Sequence, residues 1–354
     1  MHIALGLKTW FLKNKRDFPW RKGCSPYQIW ISEIMLQQTQ ASVVVPYFQR
    51  WITRFPNIED LASAPYEEVL KYWEGLGYYS RVRNLQKGAQ YIVRNHGGQL
   101  PDTKELLLSI PGIGEYTAGA ILSFAFHKKG LAIDGNVKRV LSRYFLIEKE
   151  ISSKEAHKEV ETGLEYFLAV EQPHVVMEGL IELGAVICKK QPGCFSCPLK
   201  EGCRAFQTGR MEELPLKGKR KKTEEIRRNV FIILCQNRVL VKREKEKKIM
   251  ADLWEFPYIE VKRQLSLEEE METIKTLYPG ICRFVKTLSI QKHTFTSFRS
   301  TLFPAIWEAG VLMECPAMEW IDLKEIERLS FSSGHCRILA DLKKEVDCIL
   351  NIEG

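Results

Sequence analysis

The chain has 354 residues, 45% of them hydrophobic and 27% charged, with a formal net charge of +8. Its length favours two domains with substantial cores, and it has no apolar run of the roughly 18 residues that a membrane span needs. The positive charge favours a polyanionic partner, although an acidic membrane surface would also suit it.

Helical periodicity dominates the first 205 residues or so. The first 18 residues have neither a long apolar core nor a small-residue cleavage site, so we predict an ordinary first helix rather than a signal peptide. Pro26 is typical of a first helical position. The 3.6-residue period predicts further helices that begin near Pro65, Ser80, Val137, Lys154 and His174.

A basic stretch, Leu214 to Asn229, separates this helical part from a different pattern. The stretch is either a solvated linker or a contact for a polyanion. Two strands joined near Gln236 follow it, and more strands are predicted between Ile281 and Ala309. Helical patterns return near 267–278 and 334–350. We predict a helical domain (1–206), a basic linker (207–227) and a smaller α+β domain (228–354).

Four of the ten cysteines lie close together, and the other six are scattered. This distribution is typical of a reducing compartment with one metal site and not of a disulfide framework, so we expect a cytoplasmic protein. The intervals within the cluster are five, two and five residues. One close pair flanked by two outliers favours a [4Fe–4S] cluster over structural zinc, which stays the alternative. The predicted ligands are Cys188, Cys194, Cys197 and Cys203.

The stretch "SIPGIGEYTAGAI", Ser109 to Ile121, predicts a helix, a tight turn and a second helix. Gly112 and Gly114 would let the backbone approach a phosphate, and amide N–H groups at the start of the second helix would point at it. A plain connector between two helices would look the same. Tyr116 stands just inside the second helix.

Two carboxylates are candidates for acid–base chemistry. Glu33 shares a helix face with apolar neighbours, which would raise its pKa and keep it protonated, as a general acid requires. A buried glutamate satisfied by an amide is the alternative. Asp134 precedes a helix and could simply be its N-cap, a position that would favour its ionised form. A protonated carboxyl and a carboxylate together can break a glycosidic bond.

Taken together, these segments resemble the helix–hairpin–helix DNA glycosylases with a [4Fe–4S] loop, and among them the MutY-type adenine DNA glycosylases. The resemblance spans nearly the whole chain. It implies a mainly α helix–hairpin–helix glycosylase domain that includes the iron–sulfur loop 188–203, followed by a Nudix-like α+β domain. The segments that carry it are "DFPWR", "SEIMLQQTQ", "GLGYYSRVRNL", "IPGIGEYTAGAI", "IDGNVKRVLSR", the cysteine loop and "LWEFP".

The resemblance implies roles for five residues around a flipped adenine. Glu33 corresponds to the acid that protonates adenine, and Asp134 to the carboxylate that stabilises C1′ before water attacks. Asn136 corresponds to an asparagine that assists this step in some members. Arg21 and Glu178 match positions near the adenine pocket, although Arg21 could be a salt-bridge partner only and Glu178 a solvated helix residue.

The resemblance also implies roles for three further residues. Gln38 and Tyr78 match residues that wedge into the base stack, although Tyr78 would otherwise be read as core packing. Tyr116 stands where bifunctional relatives of the endonuclease III type carry a lysine whose amine attacks C1′. A phenol cannot form a Schiff base, so the resemblance implies base removal without strand cleavage.

The C-terminal domain resembles the module that contacts 8-oxoguanine in this family. Its acidic stretch "LSLEEEMETI" lacks the metal-binding pattern of true Nudix hydrolases, so recognition without hydrolysis is expected. Phe295, Thr296 and Ser297 lie where the family usually has Phe-Ser-His, with serine in place of the histidine. The first cysteine interval also departs from the family, with five residues instead of six.

The resemblance thus implies a monofunctional adenine DNA glycosylase of base excision repair. Its substrate would be double-stranded DNA with adenine opposite 8-oxoguanine or guanine, and the protein would be monomeric, cytoplasmic and nucleoid-associated, without a membrane partner. Two alternatives stay open. One is an endonuclease III-like pyrimidine-damage glycosylase/lyase, and the other is a non-enzymatic iron–sulfur protein that binds DNA and senses redox state.

Overall fold

The computed structural model describes residues 2–218, 223–243, 251–295 and 297–350. The chain folds into two compact units. The first comprises residues 1–64 and 83–219. The second comprises residues 65–82 together with residues 220–354. The short segment Pro65–Val82 therefore belongs to the C-terminal unit, although it lies within the helical part of the sequence.

Helices make up most of the described chain before residue 208. Their bounds are α1 His2–Asn14, α2 Pro26–Leu36, α3 Ala41–Arg54, α4 Ile58–Ser63, α5 Tyr66–Trp73, α6 Ser80–His96, α7 Lys104–Leu108, α8 Glu115–Ala120, α9 Gly135–Phe145, α10 Lys154–Leu168, α11 Pro173–Val186 and α12 Arg204–Gln207. The predicted helical character of this region is confirmed.

Local sequence signals fix the helix that carries Glu33. Ser25 caps α2 by accepting a hydrogen bond from the Gln28 N–H, and the Gln28 side chain accepts a bond from the Ser25 N–H in return. Pro26 occupies the first helical position, as predicted. Most of α2 is buried, with Trp30 and Ile31 fully enclosed. Capping and burial therefore fix the position of the helix that carries Glu33.

Helices α7 and α8 form the predicted hairpin. Gly112 has φ +86°, and a Cβ there would lie 2.8 Å from the Asn84 Cβ, so only glycine fits this turn. Gly114 caps α8 with an ordinary extended backbone. After α8 the chain winds into one turn of π-helix, Ile121–Ala125. Helix α8 then packs with α1, α9, α10 and α11 in one apolar core, in which Leu164 and Leu180 are fully buried.

The second unit is built on a mixed sheet. Its described strands are β1 Glu224–Cys235, β2 Arg238–Arg243, β3 Trp254–Glu255, β4 Tyr258–Glu260, β5 Ile281–Thr287, β6 Gln291–Phe295, β7 Phe298–Ala309 and β8 Met318–Asp322. Helices α13 Leu267–Leu277 and α14 Ser333–Leu350 accompany it. The predicted strands and both helices are confirmed. Strand β1 already begins at Glu224, within the predicted basic linker.

The sheet has the order β3-β2-β1-β7-β5, with β4 beside β1, β6 beside β7 and β8 beside β2. Strands β1 and β7 are parallel, and the other pairs are antiparallel. The alternation of side chains gives each face its own apolar core. Ile232 and Ile306 pack toward Ile338 of α14, and Phe231 and Trp307 pack on the other face with Ile274 of α13.

Within the described ranges, no helix combines the length and the hydropathy that a bilayer crossing requires.

Candidate active site

A cavity of about 910 Å³ lies within the first unit. Residues from α2, α8, α9 and α11 line it, together with the turn after α2 and the segment around Arg21. Its size falls within the range of roughly 300–1,000 Å³ found for small-molecule sites. The predicted site residues in its lining are Arg21, Glu33, Gln38, Tyr116, Asp134, Asn136 and Glu178.

Glu33 is a buried carboxyl in the wall of this cavity, with 6% of its surface exposed. Burial raises its pKa to about 7, and the nearby negative charges of Asp134 and Glu178 act in the same direction. The hydroxyl of Tyr116 donates a hydrogen bond of 2.7 Å to Glu33 Oε2, which opposes the increase. The predicted raised pKa is confirmed, and a group with this pKa is well placed to give a proton at neutral pH.

The turn between α7 and α8 positions Tyr116. It is the second residue of α8, directly after the turn that Gly112 makes possible. Burial and the neighbouring Glu33 and Asp134 carboxyls raise the pKa of its phenol well above the usual range. Tyr116 is therefore a neutral hydrogen-bond donor across the pH range in which a protein functions.

Asp134 caps α9, as its sequence position suggested. Its Oδ1 accepts a hydrogen bond of 2.8 Å from the Val137 N–H, and its Oδ2 accepts one of 2.7 Å from Asn136 Nδ2. Burial raises the pKa of Asp134 above its usual range, although both hydrogen bonds favour the ionised form. The helix start alone would have lowered this pKa, and desolvation outweighs that effect. The carboxylate is thus fixed in orientation while it faces the cavity.

A network of ion pairs in the cavity lining joins Arg16 and Arg21 to Glu178 and Glu182. Arg21 Nε lies 3.1 Å from Glu178 Oε2, and Arg21 Nη2 lies 2.9 Å from Glu182 Oε2. Arg16 Nε binds Glu182 Oε1 at 2.6 Å. Burial by itself would raise the pKa of Glu182, but the hydrogen bonds from both arginines lower it overall. Burial raises the pKa of Glu178 despite the Arg21 charge.

Glu182 is a site residue that sequence reasoning missed. It is completely buried on α11, one turn after Glu178. Its position in the sequence gives little signal, because its partners Arg16 and Arg21 lie more than 160 residues away. The spacing of four residues between two glutamates on one helix was the available clue.

Arg139 connects the cavity to the cysteine loop, and it too was missed. Its Nη2 donates to Asn136 Oδ1 at 2.7 Å, while its Nε donates to the Cys188 carbonyl oxygen at 2.7 Å. Asn136 in turn donates to Asp134. A continuous chain of hydrogen bonds therefore runs from the first cysteine of the loop to the capping carboxylate.

The four predicted metal ligands are unpaired thiols, each partly exposed. Burial raises the pKa of Cys197 to about 12, and the neighbouring Cys188, Cys203 and Cys194 contribute to the increase, so the four thiols form one electrostatic group. Nearly buried Arg143 donates to Cys188 Sγ at 3.2 Å.

The described residues include no group of three or more His, Cys, Asp or Glu side chains placed to hold a single metal ion. A cubane cluster spreads its four thiolates over different iron atoms, so its ligands lie further apart than those of one ion. The donor set of Cys188, Cys194, Cys197 and Cys203 consists of thiols alone, which matches the ligand type of an iron–sulfur cluster.

The predicted DNA-contacting residues belong to three different segments of the chain. Gly112 and Gly114 lie in the hairpin turn, outside the cavity lining. Gln38 lies in the turn after α2 with φ +58°, and Tyr78 belongs to the second unit with φ +49°. A left-handed backbone is uncommon in residues other than glycine, and it marks both positions as locally constrained turns.

The predicted lesion residues fall on the β6–β7 hairpin of the second unit. Phe295 ends β6, where its backbone pairs with Phe298, and the Ser297 carbonyl accepts a hydrogen bond from the Glu224 N–H. Thr296 lies outside the described residues. The hairpin is thus tied at its tip to the first residue of β1.

Comparison with known families agrees with this architecture. Residues 31–165 match the model of the HhH-GPD superfamily base excision DNA repair proteins, and residues 229–341 match the NUDIX domain. A thermostable thymine-DNA glycosylase structure, 28% identical, superposes with a TM-score of 0.53 over 58% of this chain and 96% of that one. An endonuclease III–DNA covalent intermediate, 24% identical, shares the fold with a TM-score of 0.51 over 59% of this chain and 95% of that one. Fold and site together define a helix–hairpin–helix DNA glycosylase with a Nudix-type second domain.

Relatives of known name show which kind of DNA glycosylase this chain is similar to. An adenine DNA glycosylase of Buchnera aphidicola subsp. Acyrthosiphon pisum is 33% identical over 96% of this chain and 97% of its own length. The adenine DNA glycosylase of Homo sapiens is 41% identical over 60% of this chain and 41% of its own. The chain belongs to the adenine DNA glycosylase family, which confirms the predicted resemblance.

Proposed function

We propose that this chain removes adenine from duplex DNA in which adenine lies opposite 8-oxoguanine or guanine, and that it leaves an abasic site without cutting the strand. The observation that carries the proposal is the hydrogen-bonded pair of Glu33 and Tyr116, which lines one cavity together with Asp134. Its adenine specificity is supported by the family to which the chain belongs.

Each group has a defined task in this mechanism. The flipped adenine enters the cavity, where Glu33 in its protonated form gives a proton to the base and makes it a better leaving group. The N-glycosidic bond then breaks toward an oxocarbenium-like sugar, which the Asp134 carboxylate stabilises. Asn136 holds that carboxylate in place. Water adds to C1′ and loses a proton, which yields free adenine and the abasic sugar.

Tyr116 limits the reaction to hydrolysis. Attack on C1′ with subsequent strand cleavage needs an amine, and the residue after the hairpin supplies a neutral phenol. Its hydroxyl donates a hydrogen bond to Glu33 Oε2. This distinguishes the chain from a pyrimidine-damage glycosylase/lyase. A DNA-binding redox sensor, in turn, would need neither Glu33 nor Asp134.

The remaining assignments follow the same proposal. Residues 1–206 act as the glycosylase domain, 207–227 as the linker and 228–354 as the lesion-recognition domain, with segment 65–82 and the start of β1 grouped with the last of these in the structure. Gly112 and Gly114 bind a phosphate, Gln38 and Tyr78 fill the gap left by the flipped base, and Phe295, Thr296 and Ser297 contact the opposite base. The protein acts as a monomer in the cytoplasm, on the nucleoid.

A [4Fe–4S] cluster would be held by Cys188, Cys194, Cys197 and Cys203. When bound, the cluster would cross-link the loop and so stabilise the fold around it. Arg143 donates to the Lys189 carbonyl of the loop at 2.6 Å and to the Leu214 carbonyl, beyond the loop, at 3.0 Å.

Chromatographic detection of free adenine tests the proposal. Duplexes that differ only in the base opposite one adenine are incubated with the protein in single-turnover conditions. We expect release opposite 8-oxoguanine and guanine, and none opposite thymine. Equal release from all three duplexes would contradict the mispair specificity, and no release from any would contradict the activity.

A further inference from the structure

A second cavity of the first unit shares no lining residue with the candidate active site. Its volume is about 640 Å³, within the range of roughly 300–1,000 Å³ that small-molecule sites occupy. The lining comes from segment 145–149 at and after the end of α9, from one face of α10 and from Arg204 at the start of α12. We call it the α10 cavity. The proposed function leaves it without a role.

Gly163 of α10 lets the Phe145 ring come close to this helix. A Cβ at Gly163 would lie 2.5 Å from Phe145 Cε2, so only glycine fits beside the ring. The rings of Tyr144 and Phe167 pack edge-on against Phe145, with centroid distances of 4.9 and 6.1 Å, and fix its orientation. Phe145 is only half-buried, so part of its ring is accessible from the cavity. An accessible aromatic ring is suited to stacking a planar ligand.

Both carboxylates of the α10 cavity act on the same lysine. Glu159 binds Lys149 at 2.5 Å, and this contact raises the pKa of Lys149, to which the negative charge of Glu155 adds. Lys158 and Arg204 also line the cavity and are exposed. Neither forms an ion pair with any residue in the described part of the chain. Two cations are therefore available to an anionic ligand.

We propose that the α10 cavity binds a mononucleotide, with the base against the Phe145 ring and the phosphates on Lys158 and Arg204. A planar ring that carries a polyanionic group matches an accessible aromatic ring beside two unpaired cations. The planar fork of an arginine and the point charge of a lysine are both common phosphate ligands. The inference goes beyond the proposed function and does not depend on it, because the two cavities have no residue in common.

Isothermal titration calorimetry of the full chain with ADP tests this site. Adenosine and inorganic pyrophosphate, titrated separately, represent the base and the phosphates alone. We expect ADP to bind at least about tenfold more tightly than either, because base stacking and charge-assisted hydrogen bonds contribute together. ADP that binds no more tightly than pyrophosphate would reduce the cavity to a cationic surface and overturn the proposal. No binding of ADP at millimolar concentration would overturn it as well.

Two substitutions assign the binding to the α10 cavity. Lys158→Gln removes one cation from an exposed position, so ADP and pyrophosphate should both bind about tenfold more weakly. Phe145→Leu removes the ring but keeps an apolar side chain, so the Kd of ADP should rise about tenfold while that of pyrophosphate stays the same. Lys87→Gln, at an exposed lysine of α6, is the matched control and should change neither.

The Lys158 variant keeps the test independent of folding, because its side chain is exposed, and circular dichroism checks the fold of the Phe145 variant. ADP binding that both substitutions leave unchanged would place the nucleotide elsewhere in the chain and overturn the proposal. Adenine release by the wild type is measured separately. If adenine release fails while ADP binding responds to both substitutions, the proposed function fails and the nucleotide site stands.

Discussion

The Tyr116 hydroxyl donates a 2.7 Å hydrogen bond to Glu33 Oε2 inside the cavity. Two opposing effects meet at this contact, because burial raises the pKa of Glu33 and the donated hydrogen bond lowers it. The result is a carboxyl whose pKa is about 7. In the proposed mechanism, the residue whose phenol cannot form a Schiff base therefore also lowers the pKa of the acid that would protonate the base.

Replacing Tyr116 with phenylalanine should shift the pH dependence of adenine excision. The variant loses the bond that favours ionised Glu33, so the pKa of Glu33 rises. Excision requires the protonated form and is lost as pH rises through this pKa, so the alkaline limb should move to higher pH by roughly one unit. Single-turnover rates measured across pH check this. Tyr166→Phe, at an exposed tyrosine, is the control. If the alkaline side of the pH–rate profile of the Tyr116 variant stays in place or moves to lower pH, the hydrogen bond from Tyr116 does not lower the pKa of Glu33.

Glu33→Gln should abolish excision while DNA binding persists. The amide keeps the size of the side chain but cannot give a proton to adenine, so the rate should fall about 10²–10⁴-fold. The Kd for a duplex with adenine opposite 8-oxoguanine should stay within about threefold, because the phosphate contacts are unchanged. Glu165→Gln, on the exposed side of α10, is the matched control. Unchanged excision would remove Glu33 from its role.

Arg139→Ala should slow excision through Asn136. Without the guanidinium, Asn136 loses the partner that orients its amide toward Asp134, and a misplaced carboxylate costs about tenfold or more in rate. Arg94→Ala, at an exposed arginine of α6, should have no effect. Circular dichroism confirms that both variants are folded. Excision by the Arg139 variant at the wild-type rate would show that this chain of hydrogen bonds does not position Asp134.

Metal analysis tests the cysteine loop. The purified protein should be coloured and contain about four irons and four sulfides per chain. Cys194→Ser should lose iron, whereas Cys282→Ser, at an exposed cysteine of the second unit, should retain it. A colourless protein that contains zinc would contradict the iron–sulfur assignment and favour the alternative raised by the sequence.

Much of the fold could be predicted from the period of the hydrophobic residues in the sequence, because its helices and strands are amphipathic. Helix α3 was missed, since Pro46 lies in its interior and proline normally argues against that. The short strands β4 and β8 were missed as well, because three to five residues carry little alternation. The grouping of residues 65–82 with the C-terminal unit has no local signal at all, because it depends on packing against residues far along the chain.

Some residues of the candidate site could likewise be predicted from the sequence, and others could not. Glu33, Asp134 and Tyr116 lie in motifs that the sequence displays, and the structure places all three in one cavity. Glu182 and Arg139 act through partners that folding alone brings near, so no spacing rule points to them. Burial likewise decided the direction of the Asp134 pKa shift, which its helix position alone would have reversed.

The central claim is that this chain removes adenine and leaves the strand intact. A labelled duplex with one adenine opposite 8-oxoguanine is incubated with the protein and divided in two. One half is treated with hot alkali, and both are resolved on a denaturing gel. Because Tyr116 cannot form a Schiff base, scission should appear only after alkali. Equal scission without alkali would show that another amine of the chain attacks C1′, and it would contradict the account.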